Sequence, residues 1–175
     1  MKEILDKLSS YNIFNYLLPG VLFASIGTEI SSYTLLVDNL AVGAFLYYFY
    51  GLVISRLGSL VVEPILKKLR IVHFADYSSF VTASHSDQKI DVLSEQNNSY
   101  RSLASLFLCL LMLSAIEYLD RFFGIGHTEL LIIAVALLLV LFVSAYKKQT
   151  KYITNRVDAV LGKTMKGAAN EADDS

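Results

Sequence analysis

Between Leu130 and Tyr146 the chain carries no charge, and apolar side chains point to every side that a helix could present. A helix without a polar face cannot meet water along its length, so the segment must be enclosed by protein or by lipid. Three further stretches are equally free of charge: Leu8 to Thr28, Asn39 to Ser55, and Ser102 to Ile116. Crossing a hydrocarbon layer of ~30 Å takes ~20 apolar residues as a helix, and each stretch is near that length. The third reaches it only by continuing through Glu117 to Leu119. Composition agrees. The 175 residues are 54% hydrophobic and 18% charged, with a mean hydropathy of +0.49, whereas soluble domains carry about 25% charge.

The basic residues then orient these stretches. Of the fifteen Lys and Arg, Lys2 and Lys7 precede the first stretch. Arg56, Lys67, Lys68, Arg70, Lys89 and Arg101 lie between the second and third. Lys147, Lys148, Lys151, Arg156, Lys163 and Lys166 follow the fourth. Arg121 alone falls on the other side. Cytoplasmic loops keep their basic residues, so four spans with both termini in the cytoplasm are expected. The N-terminus mixes Lys2, Glu3, Asp6 and Lys7 and shows no small-residue cleavage site, so the first span is expected to be retained.

The expected fold is an all-α membrane protein with four transmembrane helices. Helices two, three and four extend into a cytoplasmic helical layer. Residues 1–10 read as an interfacial amphipathic helix, with Met1, Ile4, Leu5 and Leu8 on one face. The membrane bundle comprises 11–62 and 102–146, with spans at about 11–28, 39–58, 102–119 and 129–146. Pro19-Gly20 should kink the first span. Helix two should start near Asp38 or Asn39 and run to about Leu69. Ser86 or Asp87 should cap helix three, which continues into the bilayer unbroken by Pro or Gly. The layer comprises 63–101 and 147–162, Gly162 marks a stop, and 163–175 reads as a disordered tail.

No Gly-rich phosphate loop, HExxH or CxxC occurs, and His73, His85 and His127 do not form a ligand set. Neither catalysis nor a cofactor is expected. Gly51, Ser55 and Ser59 recur at every fourth position and mark a face for close helix packing. Asn15 and Tyr16, beside Pro19 and Gly20, are candidate pore or gate residues, with interhelical hydrogen bonding as the plainer role. Glu29, Asp38, Glu117, Asp120 and Glu129 form a candidate outer acidic rim. Lys67, Lys68, Arg70, Asn97, Arg101, Lys147, Lys148, Lys151 and Arg156 form a candidate cytoplasmic site for anions or a partner. Anionic lipid alone would favour such a cluster, by ~1 kcal/mol per cation near the surface.

Two functions fit. One is a homo-oligomeric channel or pore-forming effector, gated through its cytoplasmic helices by a nucleotide, an oligonucleotide or a protein. The other is a non-conducting membrane anchor or sensor that recruits a soluble partner. The segments LSSYNIFNYLLPG (Leu8 to Gly20) and KIDVLSEQNNSYRSL (Lys89 to Leu103), with the layout of the chain, resemble the small four-span inner-membrane proteins of bacterial anti-phage defence operons, such as the membrane components of the Hailong and Kiwa systems. That resemblance implies an oligomeric membrane effector or sensor that depolarises or permeabilises the membrane, and it places the channel ahead of the anchor.

Overall fold

The chain's two prolines each follow a widened turn of helix. In the computed structural model, which describes residues 13–173 with side chains placed over 15–126, 128–158 and 161, Pro19 comes just after a π turn at Ile13–Leu17 and Pro64 just after one at Gly58–Val62. Proline has no N–H and its ring clashes with the carbonyl four residues back. A π turn spaces the backbone by five residues and absorbs that clash without ending the helix. At Pro19, where a kink is expected, the structure has a π turn immediately before the proline. The expected interfacial helix at 1–10 lies outside the described residues.

Six α-helices follow in order: α1 (Leu18–Ile30), α2 (Leu40–Leu57), α3 (Glu63–Lys68), α4 (Tyr77–Ser86), α5 (Lys89–Phe123) and α6 (His127–Asp173). No strand occurs among the described residues. Helices α2 and α3 form one rod through the second π turn, from Leu40 to Lys68. Asn39 starts it, accepting from the amides of Ala41 and Val42, both at 3.1 Å. It ends in a Schellman closure. Ile71 N–H donates to Leu66 O and Arg70 N–H to Lys67 O, with Arg70 left-handed at φ 58°.

Asp76 caps α4 by accepting from the amides of Ser78 and Ser79, and Asp87 Oδ1 accepts from Lys89 N–H at the start of α5. Helix α5 ends at Gly124, whose φ of 63° suits a residue without a Cβ. Helix α6 runs on through Gly162, where the sequence pattern suggests a stop.

Glycine sets how closely α1 and α2 cross. A Cβ on Gly20 would collide with the Tyr47 carbonyl, and one on Gly51 with the Tyr16 backbone. The two backbones touch, as small residues permit in apolar surroundings. Helix α5 completes the core with Leu106 and Leu110 against Ile54. Helix α6 stands apart from its neighbour in sequence and leans on α2, with Phe142 stacked on Phe49 and Leu141 and Ala145 buried. Among the described residues, three helical stretches are long and apolar enough to cross a membrane: Leu40–Lys68, Lys89–Phe123 and Thr128–Asp158. The protein is thus an all-α chain with the build of a multi-pass membrane protein.

Candidate functional site

Hydrogen bonds stitch one end of the bundle together. Ser102 Oγ donates to Asn15 Oδ1 at 3.0 Å, and Ser105 Oγ donates to the Ile54 carbonyl at 2.8 Å. Ser102 and Ser105 are three residues apart on α5, so both face the core, beside the buried Leu106. Asn15, Ser102 and Ser105 are all buried. Polar groups removed from water need partners, and here α1, α2 and α5 supply them to one another.

Further along the same rod, Glu63 is only 6% exposed and gathers three cations. Arg101 of α5 donates to Oε2 at 2.7 Å. Lys67, one turn on in α3, donates to Oε1 at 2.9 Å, and Lys148 of α6 lies 3.6 Å from the same oxygen. Lys148 also donates to the Ser59 carbonyl at 2.7 Å and its hydroxyl at 2.8 Å. A carboxylate held this deep needs its cations, because an unpaired buried charge is costly. Glu63 therefore fastens α3, α5 and α6 to one point. The π turn before it supplies the register: its N–H bonds back to the Gly58 carbonyl. Arg101 Nε is buried without a hydrogen-bond partner.

The cationic residues expected to form one site are divided by this geometry. Lys67, Arg101 and Lys148 converge, while Lys68, Arg70, Asn97, Lys147 and Lys151 are exposed and take no part in the Glu63 ion pairs. Arg156 lies on α6 with Nη2 3.4 Å from His85 Nε2 of α4. Sequence reasoning missed Glu63. The available signal is a lone acid among bases, four residues before Lys67 and directly before Pro64.

The candidate gate residues lie mostly inside the subunit. Asn15, Pro19 and Gly20 are buried between helices, and Tyr16, half-buried, meets Tyr48 edge to face at 5.5 Å. Of the candidate acidic rim, Glu29, Asp38 and Glu129 are exposed and Asp120 is half-buried. Glu117 is buried and paired with Arg121 one turn later, so it does not contribute a free rim charge. The small-residue face of α2 serves two neighbours: Gly51 meets α1, Ser55 is buried, and Ser59 meets Lys148 of α6.

A shallow cleft opens beside this cluster, between α2 and α6, lined by Arg56, Ser59, Leu60, Lys148, Gln149 and Tyr152. Among the described residues no group of His, Cys, Asp and Glu is arranged to hold a metal ion. Compared with protein-family models, curated proteins and solved structures, the chain matches none.

Proposed function

We propose that this is a four-span bacterial inner-membrane protein with both termini in the cytoplasm, acting as a membrane-anchored sensor that engages a soluble partner or a nucleotide-type ligand through its cytoplasmic helical layer. The observation that carries this reading is the Glu63 cluster. It joins three helices at the basic end of the bundle, so a force applied to α4 or to the exposed ends of α5 and α6 reaches the spans through one buried contact. The polar groups Asn15, Ser102 and Ser105 bond within the subunit, which favours a solid bundle over a conduit through one copy.

A second reading is a homo-oligomeric channel that depolarises the membrane as part of an anti-phage defence system. The exposed carboxylates Glu29, Asp38 and Glu129 favour it, because copies arranged around an axis would ring a pore mouth with negative charge. A membrane-potential dye in expressing cells separates the two. An unchanged potential supports the sensor. Depolarisation that Glu63→Gln or Asn15→Leu weakens supports the channel and overturns the sensor.

Topology has its own test. Asp38→Cys should react with an impermeant thiol reagent added outside the cell, and Ser86→Cys only after the membrane is opened. The reverse pattern would overturn the orientation.

A further inference from the structure

Arg56 is half-buried in the cleft between α2 and α6, and among the described residues its guanidinium makes no ion pair. Its neighbours in the Glu63 cluster do not compete for an anion's hydrogen bonds. Lys148 spends its donors on Ser59 and Glu63, yet the cluster holds three cations against one carboxylate and keeps a positive field. Arg56 therefore combines free planar donors with a favourable potential. That combination suits an oxyanion, which a guanidinium can grip with two parallel hydrogen bonds.

The cleft's height along the helices narrows the choice of anion. Arg56 lies sixteen residues beyond the start of α2, ~24 Å along the axis, and Lys148 lies ~30 Å beyond Thr128 on α6. The second length matches the ~30 Å hydrocarbon layer and the first falls about one turn short of it, a distance that the long Arg56 side chain spans, so both charges reach the inner edge, where headgroups lie. On the membrane side of the cations the two helices present apolar contact surface, with Phe49 stacked on Phe142 and Ala145 lining the cleft. Tyr152 and Gln149 close the watery side.

We propose that this cleft is a binding site for a phosphate group carried by an anionic phospholipid of the inner leaflet, held by Arg56 with support from Gln149 and the field of the Glu63 cluster. The acyl chains follow the apolar groove between α2 and α6. The site rests on the four-span orientation proposed above for its leaflet but not for its chemistry, so the thiol-labelling result and the lipid result can fail separately.

The test uses the full chain in nanodiscs of neutral phosphatidylcholine, with or without added phosphatidylglycerol, and counts phosphatidylglycerol retained after release into native mass spectrometry. Arg56→Gln should lower retention by about fivefold, the loss expected for one cation near anionic lipid, while Lys68→Gln, exposed and remote from the cleft, should leave it within about twofold. An equal loss in both variants would mean diffuse attraction and would overturn the site. Unchanged retention in Arg56→Gln would overturn it too. Inorganic phosphate is added in a separate arm to both kinds of disc, those with phosphatidylglycerol and those without. If it raises the melting temperature of wild type but not of Arg56→Gln, and displaces phosphatidylglycerol, the lipid source is overturned in favour of a free anion. If phosphate has neither effect, the lipid assignment stands.

Discussion

Arg101 Nη1 donates to Glu63 Oε2 at 2.7 Å between residues 38 positions apart, and this contact joins the far end of the α2–α3 rod to α5. Removing the carboxylate leaves Arg101 and Lys148 half-buried without their counter-charge. The cost of breaking such a pair is ~3 kcal/mol, below the upper range because both cations keep some contact with water. Glu63→Gln should therefore lower the melting temperature in detergent by several degrees. Replacing Glu63, Arg101 and Lys148 together by Met should recover most of the loss, since no buried charge then remains. A triple variant less stable than Glu63→Gln would show that Coulomb attraction, and not the avoided desolvation, dominates the cluster.

The α1–α2 crossing should be the least tolerant contact in the fold. Alanine at Gly51 places a methyl group against the Tyr16 backbone, which cannot swing aside as a flexible side chain would. Overpacking of this kind costs ~1–3 kcal/mol where the surroundings can shift, and more where backbone must move. Gly51→Ala and Gly20→Ala should each reduce the yield of monodisperse protein on size exclusion. Gly43→Ala is the milder comparison, because its Cβ would press on the Tyr47 ring, a side chain held by one hydrogen bond from Val37, and not on backbone.

Much of this architecture could be read from the chain because membrane helices are written in local patterns. Uncharged runs located α2, α5 and α6, and Asn39 marked the start of α2 through its own side chain. The unbroken passage of α5 from Lys89 to Phe123 follows from the absence of Pro and Gly in that interval. The Glu63 cluster was hidden because it is a tertiary coincidence: Arg101 and Lys148 enter it from other helices, and nothing near Glu63 in sequence encodes their arrival. Asn15 shows the intermediate case. Its polarity marked it as special, but its bond to Ser102 comes from a distant helix and has no local signature.

Arg70 offers a gain in stability. It occupies the left-handed C′ position that closes the α2–α3 rod, where a Cβ is crowded against the following carbonyl. The side chain is exposed and forms none of the ion pairs at Glu63. Arg70→Gly should stabilise the closure by ~1 kcal/mol, less the entropy that glycine regains in the unfolded chain. Thermal unfolding in detergent measures it, and Arg70→Ala supplies the comparison, since it removes the same charge but keeps the Cβ. If both variants behave alike, the charge and not the backbone conformation sets the effect.

Asp76 makes the start of α4 sensitive to acid. The Ser78 hydroxyl, then the amides of Ser79, Ser78 and Tyr77, hold its carboxyl below the usual aspartate range. A depressed carboxyl contributes stability above the unfolded pKa of ~3.9, and that contribution disappears as pH falls through the folded value. The effect belongs to the capping bonds, because only the ionised carboxylate accepts from all of these donors at once. Amide hydrogen exchange at Ser78 and Ser79 should therefore be slower in wild type than in Asp76→Ala at neutral pH. The two proteins should converge once the pH is well below 3.9, where the cap is protonated. A difference that persists unchanged into that range would mean that Asp76 holds α4 through its shape and not through its charge.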